Sequence, residues 1–136
     1  MTKTLLSFGH GYSAQALERH LLPDDWRVIG TTRSDDKLGA MMARGVEPRL
    51  WPGANMTPAL DSATHLLISA GPTQARDPAL QALGGQTAAA APRLGWVGYL
   101  STTAVYGDHD GSWVDEATPL TPASRRGRLR VQAEAQ

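Results

Sequence analysis

The sequence contains no cysteine, a single phenylalanine and no long apolar run. Without cysteine a disulfide scaffold is excluded, and the four histidines are too scattered to form a zinc cluster in its place. No uninterrupted apolar stretch approaches the roughly 18 residues of a membrane span. The N-terminus carries only Lys3 before a short apolar segment broken by Gly9 and His10, which is not the pattern of a secretory leader. A soluble cytoplasmic protein with no membrane partner is the expectation. Large core side chains are scarce as well: Leu, Ile, Val and Phe together number 25 of the 136 residues, whereas 20 are Ala. So thin a supply would suggest disorder if the net charge were high. Here 13 basic and 13 acidic residues cancel, and one compact domain is expected. Residues 125–136 hold four Arg against one Glu. Arg125, Arg126, Arg128 and Arg130 have no aromatic side chains between them, so this basic segment does not indicate nucleic-acid binding.

Along the chain, Thr4 to Phe8 reads as a strand that stops at the glycine turn Gly9-His10-Gly11-Tyr12-Ser13-Ala14. Ala14, Leu17, Leu21 and Leu22 then recur at helical spacing until Pro23-Asp24-Asp25. Trp26 to Thr32 reads as a second strand. A second helical stretch opens at Ser34 and stops at Gly45, with Leu38, Met41 and Met42 on one face. Val46 to Trp51 is a third strand weakened by Pro48, and residues 52–64 a loop or one short helix. His65 to Ala70 is nearly continuous in apolar character, as a strand covered on both faces should be, and Gly71-Pro72 ends it. An alanine-rich helix over Asp77–Ala91, interrupted at Gly84-Gly85, precedes a fifth strand over Trp96–Ser101. Helical stretches between successive strands, with no two-residue hairpin turns, predict right-handed parallel crossovers. The expected architecture is a doubly wound, three-layer α/β/α Rossmann-like domain with strand order 3-2-1-4-5. The last segment, Leu129 to Gln136, reads as a helix without a cap or stop signal, which suggests that more protein normally follows.

Gly9-x-Gly11-x-x-Ala14 has the spacing of a dinucleotide-binding turn. Gly9 permits the sharp turn, Gly11 lets phosphate oxygens reach the backbone, and Ala14 lets the following helix pack closely. The N–H groups at the helix start, near Tyr12 and Ser13, would hold a pyrophosphate. His10 is read as a cofactor contact or helix edge rather than a catalytic group. Beyond the second strand, Thr32-Arg33-Ser34 offers no carboxylate before Asp35. A 2′-phosphate suits the Arg33 fork with Thr32 or Ser34 assisting, which favours NADP. The alternative is that Arg33 faces solvent and Asp35 takes the ribose of NAD. Ser69, Ala70 and Gly71 end the central strand beside the same crevice, as does the hydroxyl cluster Ser101-Thr102-Thr103. Asp108, His109, Asp110, Asp115 and Glu116 are read as solvated loop charge and not as a metal site. Trp113 would cover a pocket or pack under that loop.

Taken in series, the glycine turn, Tyr99-Leu100-Ser101-Thr102-Thr103-Ala104-Val105-Tyr106-Gly107-Asp108, and Val114-Asp115-Glu116-Ala117-Thr118-Pro119-Leu120 followed by Pro122 are more specific. The chain resembles, over essentially all its length, the N-terminal cofactor domain of the extended and atypical short-chain dehydrogenase/reductases, the NAD(P)-dependent epimerase/dehydratase group. That resemblance implies NAD(P) binding and hydride transfer, often on nucleotide-linked sugars, through a Ser/Thr, Tyr and Lys set. It places the active-site hydroxyl on Thr102. The dehydratase Asp-Glu pair is replaced by Thr103-Ala104, and the family's first fingerprint glycine by Phe8. The Tyr-x-x-x-Lys positions become Arg126-x-x-x-Arg130. Arg130 could keep the positive charge and the ribose contact. Arg126 has no accessible proton-transfer couple near neutral pH.

The expected function is therefore an NAD(P)-dependent oxidoreductase or epimerase acting on a sugar or nucleotide-sugar. Residues 1–136 would form its cofactor domain without the C-terminal substrate region, and little turnover is expected from them alone. The alternative is a non-catalytic NADP-binding or redox-sensing protein. A homodimer is compatible with either reading.

Overall fold

The computed structural model describes residues 2–70, 85 and 88–135. Its elements run β1 (Thr4–Phe8), α1 (Tyr12–Leu21), β2 (Arg27–Thr32), α2 (Leu38–Ala43), β3 (Glu47–Leu50), α3 (Thr57–Ser62), β4 (His65–Ile68), β5 (Trp96–Tyr99) and α4 (Arg125–Glu134). The five strands form one sheet in the order β3-β2-β1-β4-β5, and every neighbouring pair is parallel. This is the doubly wound order expected from the crossovers.

Parallel strands covered on both faces send alternate side chains to opposite sides. Leu6, Ile29 and Leu66 pack with Phe8, Trp51, Met56 and Leu60 on the side of α3. Leu5, Val28 and Leu67 pack with Ala14, Met41 and Val46 on the side of α1 and α2. The register places Leu6 opposite Ile29 and Leu66, so β1 sits at the centre of both layers. With few large residues available, the sheet centre takes most of them; Leu6, Ile29 and Leu66 are fully buried. Pro48 fits because β3 is an edge strand and can spare an N–H. Arg27 clasps Glu47 across β2 and β3 with two hydrogen bonds, of 2.5 and 2.9 Å.

Several boundaries differ from expectation. The second helical stretch begins as a 3-10 turn over Asp35–Lys37 before α2, and Gly45 ends it at φ +91°. Within residues 52–64 a single short helix forms, α3, which is one of the two forms expected there. The helix expected over Asp77–Ala91 falls for the most part outside the described residues. The last helix starts at Arg125 and not at Leu129, because the Ser124 hydroxyl accepts a hydrogen bond from the Gly127 N–H and caps it. Apolar periodicity begins only at Leu129, which hides that start. Among the described residues, no helix is long and apolar enough to cross a membrane.

Truncating Leu6 to Ala removes contacts from the middle of the sheet where little else can fill the space. Urea unfolding should show a loss of about 3 kcal/mol; a loss below about 1 kcal/mol would contradict the central place of β1.

Candidate dinucleotide site

The glycine turn lies at the carboxyl end of β1, between β2 and β4. Gly9 has φ +77°, and a Cβ there would stand 2.7 Å from the backbone nitrogen and Cα of Ala70. Both the dihedral and the close approach exclude any other residue. The turn is tied on two sides. From β2, the Thr31 hydroxyl accepts the Gly9 N–H at 2.7 Å and the Thr31 carbonyl accepts the His10 N–H at 3.1 Å. From the end of β4, the Ser69 hydroxyl donates to the carbonyls of Phe8 and Gly9, at 3.1 and 2.8 Å.

Gly11 differs from Gly9. A Cβ on it would meet only the Gly9 carbonyl oxygen, at 3.8 Å, so no packing within the protein demands glycine there. The open space belongs to whatever approaches from outside. Gly11 is the N-cap of α1 and supplies no side-chain cap, and the first turn of that helix has no acidic residue. The leading N–H groups of α1 lack intrahelical partners and face this space at the positive end of the helix. A pyrophosphate fits such a cradle. Ala14 is buried at 1% exposure against the sheet, which lets α1 start this close to β1.

The sequence offers His10 as a cofactor contact or a helix edge. Its imidazole is turned into the interior, where Nε2 donates to Glu18 of α1 at 2.5 Å. Arg44, just after α2, donates from Nε to the other carboxylate oxygen, also at 2.5 Å. Space for the ring comes from Gly30, where a Cβ would lie 2.8 Å from His10 Cγ. Burial by itself pushes the Glu18 carboxyl up, but the hydrogen bonds from His10 and Arg44, with the Arg44 charge, outweigh it and hold it below its ordinary value of 4.5. Sequence reasoning missed Glu18, Arg44, Gly30 and Thr31. The available signal was Glu18 four residues after Ala14, a charge on the buried stripe of α1.

The remaining expected residues are distributed as follows. Arg33 is exposed and makes no ion pair among the described residues. Thr32 and Ser34 use their hydroxyls on the loop itself: Thr32 Oγ1 accepts the Ser34 N–H at 3.1 Å, and Ser34 donates to Asp36. Ser69 and Ala70 form the wall against Gly9, and Gly71 lies outside the described residues. Thr102 caps a 3-10 turn over Thr103–Val105, its hydroxyl accepting the Ala104 N–H at 3.2 Å. Arg130 donates to the Leu100 carbonyl and stands over the Tyr99 ring, 5.7 Å from its centroid. Ser101 bonds to Glu134. These contacts dock α4 against the end of β5 and bring Thr102 and Arg130 to the same edge. Gly127 allows the approach, since a Cβ on it would lie 2.4 Å from the Ala104 carbonyl oxygen. Arg126 is exposed.

After β5, Asp108 and Asp115 accept hydrogen bonds within their own turns, and Trp113 is fully exposed, neither covering a pocket nor packed under the loop. Among the described residues, no three of His, Asp and Glu come together to hold a metal ion. A separate hollow lined by Thr2, Lys3, Asp24, Asp25 and Trp26 opens at the opposite, amino edge of the sheet.

The Glu18 cluster has a consequence for pH. Because the folded carboxyl titrates below its unfolded value, its stabilisation is fully present above about pH 4.5 and is lost as pH falls through the lower folded value. At pH 7, Glu18→Gln should cost about 2 kcal/mol in urea unfolding. The difference from the parent should shrink on acidification below pH 4.5; a difference that grows there would contradict the assignment.

No protein-family model and no curated protein matches the chain. Solved structures do. A functionally unknown conserved protein from Silicibacter pomeroyi DSS is 62% identical with a TM-score of 0.93, covering 98% of this chain and 47% of that one. A short-chain dehydrogenase/reductase superfamily protein from Agrobacterium tumefaciens with bound NAD has 19% identity and a TM-score of 0.68, covering 97% and 43%. The dTDP-glucose 4,6-dehydratase of Bacillus anthracis, in complex with NAD, has 15% identity and a TM-score of 0.72, covering 98% and 49%. The chain thus spans about half the length of these solved structures. Its fold is that of the N-terminal Rossmann portion of short-chain dehydrogenase/reductase and epimerase/dehydratase proteins.

Proposed function

We propose that this chain is the NAD(P)-binding domain of an oxidoreductase or epimerase of the epimerase/dehydratase type. The observation that carries this reading is the turn itself, in which Gly9 is demanded by the protein while the space beside Gly11, at the start of α1, is open. The neighbours from Agrobacterium and Bacillus contain NAD, and the dehydratase acts on a nucleotide-sugar, which supports that substrate class for the whole protein. Within this reading, Tyr12 and Ser13 present main-chain N–H groups to the pyrophosphate, while the Gly11 N–H closes the turn on the Gly9 carbonyl at 2.7 Å. Ala14 keeps the helix close to the sheet. Arg33 remains exposed and unpaired among the described residues, where it can reach a 2′-phosphate, so NADP is preferred over NAD.

A bound nicotinamide would supply or accept a hydride. Thr102 would orient a substrate oxygen and Arg130 would lend positive potential near the ribose. Both are engaged in local contacts that fix their place, the Thr102 hydroxyl as an acceptor and the Arg130 guanidinium as a donor to Leu100. The Thr102 hydroxyl proton therefore remains available for donation. The position expected to hold the acid/base carries Arg126, and this favours a second reading in which the domain binds NADP without turnover.

Calorimetry with both cofactors separates these claims. The parent should bind NADP at least several-fold more tightly than NAD, and Arg33→Ala should remove the preference. Gly11→Ser should keep or slightly raise stability, since serine is a good N-cap, yet weaken either dinucleotide tenfold or more. Unchanged binding in Gly11→Ser would refute the site. In a longer natural form, Thr102→Val should slow single-turnover hydride transfer more than it weakens NADP binding. Absence of any substrate-dependent change in absorbance across a nucleotide-sugar panel would favour the non-catalytic reading.

A further inference from the structure

The glycine turn is held at its backbone by Thr31, Ser69 and its own Gly11 N–H to Gly9 carbonyl bond. Of Gly9, His10 and Gly11, only His10 has a side chain, and that side chain is fully buried behind the turn. Its Nδ1 has no hydrogen-bond partner among the described residues, so the bond from Nε2 to Glu18 is the polar tether of the ring. This arrangement suits the neutral tautomer with the proton on Nε2, because a bare Nδ1 costs less in the interior than an unpartnered N–H.

Glu18 is held in turn. His10 takes one carboxylate oxygen and Arg44 the other, which stops the carboxylate from rotating. The groups facing His10 are Glu18 from α1, with Arg44 beyond it, and uncharged Gly30 of β2, which Met41 of α2 also adjoins. A buried ion pair adds little net stability compared with apolar residues of similar size. In a chain this short of large apolar side chains, a leucine at position 18 would have served the core at least as well. The polar cluster needs a different reason, and its location directly behind the turn supplies one.

We propose that Glu18 is a positioning residue for the glycine turn: anchored by Arg44, it holds the His10 imidazole in the interior and thereby sets the backbone orientation that a dinucleotide phosphate meets. This rests on the reading of the turn as a phosphate site. Thr31 and Ser69 fix the turn at Gly9 and at the His10 N–H, whereas the Glu18 cluster fixes it at the His10 side chain, next to Gly11. Loss of the cluster should therefore show in affinity beyond its effect on stability.

The test is calorimetric titration of the 136-residue chain with NADP and with NAD at pH 7, using the parent, Glu18→Gln, Arg44→Gln and, as control, Glu47→Gln. The control breaks an ion pair of similar geometry between β2 and β3, away from the turn. Glu18→Gln should weaken both dinucleotides about tenfold and Arg44→Gln several-fold, while Glu47→Gln stays within twofold of the parent. Histidine side-chain ¹⁵N spectra should show His10 with its proton on Nε2 in the parent and a mixture of tautomers in Glu18→Gln. If Glu18→Gln fails to fold, Arg44→Gln, whose site is partly open to solvent, decides by the same readouts. Parent-like affinity in the folded variants, or an unchanged His10 tautomer, overturns the positioning role and leaves the cofactor site standing. A parent that binds neither dinucleotide overturns the cofactor reading and the proposal with it.

Discussion

A methyl group on Gly9 would stand 2.7 Å from the backbone of Ala70, and the arrangement of the rest of the molecule follows from that close approach. It requires β1 and β4 to be neighbours, so the chain must cross over between them and place β2 and β3 on the other side of β1. It also forces the chain to turn sharply out of the sheet at Gly9 and enter α1 within three residues. The start of α1 is thereby aimed across the carboxyl edge at the point where the strand order reverses. In open α/β sheets this is the place where ligands bind.

The composition explains why so much of the turn is held by polar contacts. Twenty alanines and few large apolar residues leave a core concentrated at the sheet centre. The edges of the domain are held by hydroxyls, carbonyls and a few charge pairs. Thr31 and Ser69 serve the turn, Arg27 and Glu47 the edge strand, and Arg130, Ser101 and Glu134 the docking of α4 on β5. Such bonds are directional, and that suits a site whose main-chain N–H groups must be aimed rather than merely packed.

Much of the fold was legible because its signals are local. Apolar runs at Leu5-Leu6, Val28-Ile29 and Leu66-Leu67-Ile68, separated by helical spacing, define three parallel strands buried on both faces, and the strand order follows from crossover handedness. The spacing of Gly9, Gly11 and Ala14 marked the turn. It could not show on which side of the turn His10 leaves, since that depends on Gly30 and Glu18, 20 and eight residues further along. The start of α4 was hidden by a run of arginines with no apolar period, although Ser124 caps it. Thr102 follows the end of β5, and its local bond to Ala104 depends on a short turn that no periodicity announces. Arg130 sits where β5 ends because Tyr99 offers a ring face and Leu100 a carbonyl, a pairing across 30 residues that only the fold creates.

The central claim is that the carboxyl edge of β1 is a ready-made phosphate site facing solvent at Gly11. Backbone amide NMR during titration with NADP tests it most directly. Saturable shifts should be largest at the amides of Gly11, Tyr12, Ser13 and Ala14 and extend to Arg33. Saturable shifts confined to Thr2, Lys3 and Trp26 at the amino edge, with the turn unmoved, would contradict it.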